Sequence, residues 1–419
     1  MYKLAFLFAG QGAHFSGMGR GIFERYPIVR DTFEEISQVS GLDIPKLCFE
    51  SRLAELSRTK NAHLCTLACS ISAFRIFMQE IGYAPQFLAG HSLGEYIALT
   101  AAGVWSLEDA VKLIGIRAEI ADRAAKETNA GMSIIENITS DAAAKIVNVF
   151  SSQGKKVYVS SLTSGNQIAI SGDLNDMKEC EDKLFEAGAT ITPLLGSAPF
   201  HSELMRPYTE ELLAALSEIK LRPFRYPVLS NVTGRPYRDL AAIPENLISH
   251  FTDTVLWTDT MDYLDDKGIS LAIEMAPKNL LTNIVKKDHE EIKAICLCNN
   301  AEREEIFDLY KNTEMYSKHI PTIITKCLVA AVSTPNKNWN NEEYEAGVVK
   351  PYRRIQEIQD TYADRISELP EELKQELLVL LKRIFDTKEL PAEEQNEWFS
   401  QILEETGNQY LFPEYLKIV

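Results

Sequence analysis

The chain has 419 residues, of which 45% are hydrophobic and 25% charged, and its formal net charge is −17. That length suggests two or three domains with ample material for a packed core, and the acidic balance argues against nucleic acid and against any anionic membrane surface as a partner. No stretch approaches a transmembrane helix and the N-terminal residues lack the basic-then-apolar layout of a signal peptide, so a cytoplasmic protein is expected.

In chain order, Leu4-Ala5-Phe6-Leu7-Phe8-Ala9 is an apolar run without alternation, the pattern of a strand covered on both faces of a parallel sheet. It ends at Gly10-Gln11-Gly12. Two glycines around one polar residue suit either a loop that turns the Gln11 amide toward a ligand or an ordinary tight turn. Cys65 and Cys69 lie one helical turn apart, and the seven cysteines show no doubled C-x-x-C spacing. Core thiols are expected from this, with neither zinc nor disulfides.

The most informative segment is Gly90-His91-Ser92-Leu93-Gly94-Glu95. The apolar Phe87-Leu88-Ala89 before it reads as a buried strand, and Ile97, Ala98, Ala101 and Ala102 after it read as one helix face. Ser92 then falls on the turn between strand and helix, flanked by glycines that allow close backbone approach. Its hydroxyl becomes a candidate nucleophile, and the Leu93 amide at the helix start a candidate oxyanion donor. A further helix is announced by Ser106-Leu107-Glu108-Asp109, a capping-box pattern. Arg117 interrupts that helix's apolar face among Leu113, Ile114, Ile120 and Ala121. A guanidinium there either pairs with a buried acid of the protein or faces a cavity that takes a carboxylate.

Residues 130 to 196 read as strand, helix, two strands, helix and strand, the βαββαβ order of a ferredoxin-like unit. Next comes Ala198-Pro199-Phe200-His201-Ser202 before a helix from about Glu203 to Ile219. A serine nucleophile needs a base, and His201 competes for that role with His14, His63, His91, His250, His289 and His319, several of them in polar surroundings. Val228-Leu229-Ser230, Leu271-Ala272-Ile273 and Ile295-Cys296-Leu297 are further buried strands. Beyond residue 300, Leu373, Leu377, Leu380, Leu381 and Ile384 form a helical stripe after Pro370, and Trp398 with Ile402 suggests another helix. That stripe is either the core of a helical appendage or a docking platform.

Jointly, Gly10-Gln11-Gly12, the Gly90–Glu95 motif, Arg117 and Phe200-His201-Ser202 resemble the malonyl-CoA:acyl-carrier-protein transacylases and the acyltransferase domains of fatty-acid and polyketide synthases. The likeness covers residues 1 to 300 and includes Ser230-Asn231-Val232-Thr233-Gly234. It implies an α/β protein in three parts. Residues 1–129 with 197–300 form an α/β-hydrolase-like catalytic domain with a parallel sheet, 130–196 the ferredoxin-like subdomain, and 301–419 a mainly helical extension. The site should lie in the cleft between the first two.

Carried over residue by residue, the resemblance makes Ser92 the nucleophile, His201 the base, the Gln11 and Leu93 amides the oxyanion hole and Arg117 the partner of a malonyl carboxylate. His91 and Phe200 join the substrate-binding set, although His91 has a purely structural reading as well. A main-chain carbonyl should orient His201, in the loop Asp253-Thr254-Val255-Leu256-Trp257. Two segments depart from the family pattern near the acyl pocket, Lys60-Asn61-Ala62-His63 and Ala276-Pro277-Lys278.

The implied activity is transfer of a malonyl-type unit from CoA to the phosphopantetheine thiol of an acyl carrier protein through a serine ester, with no cofactor and no metal. The tail from Trp339 to Tyr352 is similar to that of stand-alone acyltransferases serving polyketide synthases in trans, so a polyketide carrier is the expected partner. The alternatives are an editing hydrolase of carrier-bound acyl groups and a transferase taking a modified malonyl unit from another carrier.

Overall fold

The computed structural model describes residues 3–311, 322–362, 369–406, 408, 411, 412 and 415. Its contacts divide the chain into two units, one formed by residues up to 73 with 85–303, the other by residues 74–84 with 304 onward.

The first unit carries two sheets. Strands β1 (Leu4–Phe8), β2 (Phe87–Gly90), β3 (Ala130–Glu136), β4 (Val157–Ser164), β5 (Gln167–Asp173), β6 (Thr190–Leu194), β7 (Val228–Ser230), β8 (Arg235–Pro236), β9 (Val255–Leu256), β10 (Leu271–Glu274) and β11 (Lys293–Cys296) follow in chain order. The larger sheet has the order β11-β10-β1-β2-β7-β8. Its strands are parallel, except that β8 runs antiparallel to β7.

All five residues of β1 are buried, as the unbroken apolar run predicts for a central strand of a doubly covered sheet. Ala5 and Leu7 pack on one face with Ala89, Leu229, Trp257 and Ala272. Leu4, Phe6 and Phe8 point to the other face, because successive side chains of a strand alternate.

The smaller sheet has the order β6-β3-β5-β4-β9. Residues 130–196 follow the expected βαββαβ order, with helices Ser140–Ser152 and Leu174–Glu186 packed by Ala143, Val147, Met177, Cys180 and Leu184. The fifth strand, β9, is an addition from outside that segment and pairs in parallel with β4. The segment after His201 departs from its expected single helix, because Pro207 cannot donate an i→i−4 bond. A 3₁₀ stretch, Glu203–Tyr208, precedes the α-helix Thr209–Ser217 there.

The second unit is helical, with Ile323–Ser333, Lys350–Tyr362, Glu371–Thr387 and Ala392–Glu405 around Cys327, Ile355, Leu377, Leu381, Phe385 and Ile402. The leucine stripe after Pro370 faces this core: Leu377, Leu381 and Ile384 are buried, Leu373 and Leu380 partly so. Pro370 itself is the N-cap of that helix. All seven cysteines are free thiols and six are buried. No helix among the described residues is long and apolar enough to cross a membrane.

Candidate active site

Ser92 caps the helix Leu93–Ala101 at the end of β2 with φ 53° and ψ −113°. An L-residue rarely adopts this conformation, and it persists only where the surroundings impose it. The neighbouring glycines explain how. A Cβ on Gly94 would run into the carbonyl of Phe8 in β1, and one on Gly90 into the carbonyl of Gly94. Strand, turn and helix therefore approach more closely than any larger residue permits.

The helix start leaves the Leu93 N–H outside the intrahelical ladder. The loop after β1 passes directly beside it, since a Cβ on Gly10 would lie 3.4 Å from the Leu93 nitrogen. Gln11 is exposed in the turn that follows, and Gly12 has φ 99°.

His201 reaches the serine from the other side, with 2.8 Å between its Nε2 and Ser92 Oγ. It too has a left-handed backbone, φ 61°. Its Nδ1 lies 2.6 Å from the carbonyl of His250, and its backbone N–H donates to the carbonyl of Phe251 at 2.9 Å. Both carbonyls belong to the last turn of the helix Ala242–Thr252, where carbonyls lack intrahelical partners. A carbonyl can only accept, so Nδ1 carries the proton and Nε2 presents its lone pair to the serine hydroxyl.

The orienting carbonyl is thus that of His250, and not one from the loop Asp253–Trp257 expected from the sequence. That loop is engaged elsewhere, as β9 on the smaller sheet and through Thr254 Oγ1, which donates to the Val159 carbonyl at 2.7 Å. Burial, then the positive charge of Arg117, lowers the His201 pKa to about 3, while the His250 carbonyl opposes the shift.

Arg117 is 1% exposed on the helix Leu107–Glu127. The expected capping box starts this helix, with the Ser106 and Asp109 side chains each bonded to the other's backbone N–H. Of the two readings left open by periodicity, an ion pair with a buried acid is absent among the described residues. Its Nη2 donates to Ser92 Oγ at 3.3 Å, and Nε and Nη1 have no partner among the described residues. Burial pulls its pKa down, with only Tyr96 acting to raise it. Three rings surround the guanidinium, Phe200 at 4.3 Å, Tyr96 at 5.4 Å and Phe251 at 5.6 Å from Cζ to centroid. A buried, unpaired cation is costly unless a ligand completes it. The unpaired edge fits a carboxylate bidentately.

The remaining histidines are less exposed than their sequence surroundings suggest. His63 and His250 are each 1% exposed. His63 has no partner at either ring nitrogen, and burial, then Arg117 and His14, lower its pKa well below the ordinary 6.5. His14 has its pKa lowered too, by burial and then by Lys278. His63 and Lys278, one from each segment that departs from the family pattern, thus both act electrostatically with His14. His91 Nε2 lies 3.0 Å from Ser161 Oγ of β4, and its ring rests on Trp257, tying the elbow to the smaller sheet. His319 lies outside the described residues.

Residues 5–333 match the family described as acyl transferase domain. The chain belongs to the acyl transferase family. Among curated members, a Bacillus subtilis protein named malonyl CoA-acyl carrier protein transacylase is 34% identical over 94% of this chain and 99% of its own length, so the likeness extends past the catalytic unit into the helical one. Among solved acyl transferases, malonyl-CoA:acyl carrier protein transacylase from Xanthomonas oryzae superposes with a TM-score of 0.71 at 30% identity, covering 74% of this chain and 98% of that one. A malonyl-transacylase in complex with a type II polyketide-synthase acyl-carrier protein gives a TM-score of 0.70 at 28% identity, covering 73% and 99%.

Proposed function

We propose that this protein is an [acyl-carrier-protein] S-malonyltransferase, moving malonyl from CoA to the phosphopantetheine thiol of a carrier protein in fatty-acid or polyketide biosynthesis. The observation that carries the reading is one constellation: Ser92 Oγ lies 2.8 Å from His201 Nε2 and 3.3 Å from an Arg117 guanidinium that has no acidic partner. The first distance suits a nucleophile with its base. The second, together with the unpartnered Nε and Nη1, supports Arg117 as the receptor for a carboxylate on an acyl group carried by that nucleophile.

In this mechanism His201 takes the Ser92 proton as Oγ attacks the malonyl thioester carbonyl. The amides of Leu93 and Gln11 stabilise the tetrahedral oxyanion. The imidazolium returns its proton to the departing CoA sulfur, leaving a malonyl-serine ester. The carrier's thiol then attacks that ester with His201 again as base, and the imidazolium returns the proton to Ser92 Oγ as the ester bond breaks. Arg117 holds the free carboxylate, with Phe200 flanking the guanidinium, and so favours diacid units over plain acyl chains. The CoA thioester is itself the substrate, and the chemistry calls on side chains and main-chain amides alone.

The structural likeness to a transacylase in complex with a type II polyketide-synthase carrier supports a polyketide carrier as partner. Seven free thiols suit the reducing cytoplasm.

Intact-protein mass spectrometry after brief incubation with malonyl-CoA tests the reading. A malonyl adduct is expected that disappears in Ser92→Ala, weakens by about two orders of magnitude in Arg117→Ala, and passes to a phosphopantetheinylated carrier. Equal adducts from acetyl-CoA and malonyl-CoA would overturn the carboxylate role of Arg117. Release of free malonate without transfer would overturn the transferase itself.

A further inference from the structure

The motif Ser230–Gly234 has a place in the sequence pattern but no part in the reaction described so far, and the structure gives it one. We propose that Asn231 and Glu95 are positioning residues that hold the strained nucleophile and its base in register through a buried path of hydrogen bonds that one electrostatic contact, between Glu95 and His250, closes. The proposal rests on Ser92 and His201 acting as nucleophile and base.

Asn231 is fully buried just after β7. Its Oδ1 accepts the Ser92 backbone N–H at 2.8 Å, and its Nδ2 donates to the Gly90 carbonyl at 2.6 Å. One amide thus bridges the residues on either side of His91 and spans the turn that carries Ser92. Asparagine is suited to this because the same group donates and accepts. A non-glycine residue at positive φ costs of order 1–3 kcal/mol and needs its surroundings to hold it. The Asn231 bridge supplies that restraint at the strained residue.

The circuit continues through Glu95, which is 0% exposed. Its Oε2 accepts the Asn231 backbone N–H at 3.1 Å, and Oε1 accepts the Tyr237 hydroxyl at 2.5 Å. The same Oε2 stands 3.7 Å from Nε2 of His250, an electrostatic contact beyond hydrogen-bond range, and that nitrogen has no hydrogen-bond partner among the described residues. The carbonyl of His250 then holds His201 Nδ1, and His201 Nε2 holds Ser92 Oγ. From Ser92 N–H to Ser92 Oγ the path returns to the same residue through Asn231, Glu95, His250 and His201. Burial raises the Glu95 pKa to about 8, so around neutrality much of it is the uncharged acid, which adds no unpaired charge to the core.

The circuit predicts that shortening or re-charging either residue slows attack by Ser92 without weakening donor binding. Four variants separate this from a general loss of folding: Asn231→Asp, Asn231→Ala, Glu95→Ala and Glu95→Gln. Asn231→Asp keeps the acceptor for Ser92 but loses the donor to Gly90. The readouts are kcat and KM for malonyl transfer, thermal midpoint, and the rate at which a fluorophosphonate labels Ser92. In that labelling the serine oxygen bonds to phosphorus, fluoride leaves and His201 takes the proton, so the probe reports the nucleophile whatever the natural acyl donor is.

Asn231→Asp and Glu95→Ala are expected to lower kcat and the labelling rate together by about 10²-fold, the cost of an ångström's misplacement, with KM little changed. Glu95→Gln should recover part of what Glu95→Ala loses, since a neutral amide of the same shape keeps one of the two acceptors. Wild-type labelling rates in folded Asn231→Asp or Asn231→Ala, or losses fully explained by the unfolded fraction, would overturn the proposal. So would a failure of Glu95→Gln to improve on Glu95→Ala. Slowed labelling in a protein whose wild-type form takes no malonyl would instead sustain the positioning roles and overturn the donor assignment. Wild-type protein that is not labelled at Ser92 overturns both.

Discussion

At the residue scale, the proposed role of His201 as base depends first on its protonation state. Its pKa is lowered to about 3 by burial first and by Arg117 second. A low value in the folded protein means that the imidazole is already the free base throughout the neutral range. The pH profile of kcat/KM, which reports the free enzyme, should therefore show no histidine limb near 6.5. Removing the guanidinium removes a charge that repels the imidazolium, so in Arg117→Ala the limb should move up toward the ordinary histidine value. Acylation by acetyl-CoA, which needs no carboxylate receptor, provides the comparison. An unshifted limb would show that Arg117 does not govern the base. Arg117 acts the same way on His63, whose pKa is lowered by burial first and by Arg117 second.

At the element scale, two helices hold the site by different means, and substitutions should separate them. The helix Leu93–Ala101 depends on close approach: a Cβ at Gly94 meets the Phe8 carbonyl, which belongs to a central strand that cannot yield. Gly94→Ala is expected to cost about 1–3 kcal/mol as an overpacked core and to displace the Leu93 amide, so stability and activity fall together. The helix Leu107–Glu127 depends on its cap. Ser106→Ala removes the acceptor for the Asp109 N–H and should cost about 1 kcal/mol, while the rate per folded molecule stays close to wild type. Denaturant melts combined with active-site titration by fluorophosphonate would distinguish the two patterns. Equal losses of activity from both variants would contradict this division.

At the scale of the whole molecule, buried titratable groups set a stability optimum. His14, His63, His91, His201 and His250 all have lowered pKa values. Below the ordinary 6.5 the unfolded chain binds protons at these sites that the native protein refuses, so acid erodes stability. Glu95 and Glu274 act in the opposite sense, with values raised to about 8 and about 7. Their contribution is present below the ordinary carboxylate value and is lost as pH rises through their folded values. Between the ordinary values of Glu and His the five histidines outweigh the two acids, and above 6.5 only the acids titrate. The thermal midpoint should accordingly peak between about pH 6 and 7 and fall on both sides. A midpoint that climbed steadily to pH 8.5 would show that these groups are not buried in solution as they are here.

Much of this protein could be read along the chain, because the signals concerned are local. An unbroken apolar run fixes a doubly covered strand, 3.6-residue periodicity a packed helix, and the Ser106–Asp109 spacing a cap, each within a few residues. The glycine-flanked turn at Ser92 and the four short motifs that identify the family are local in the same sense. What the chain could not show is who meets whom across long separations. Periodicity allowed the Arg117 guanidinium a buried acid as partner, and only the packed structure sets it beside Ser92 with no such acid among the described residues. The carbonyl that orients His201 comes from a helix end 49 residues away, where an orphan acceptor arises from helix geometry and not from any side chain. Glu95 and Tyr237 are 142 residues apart, and no periodicity links them. Hydrophobic pattern and capping decide elements because they act through nearest neighbours on the chain. The site's hydrogen bonds form between groups that only folding brings together, so the tertiary structure alone decided them.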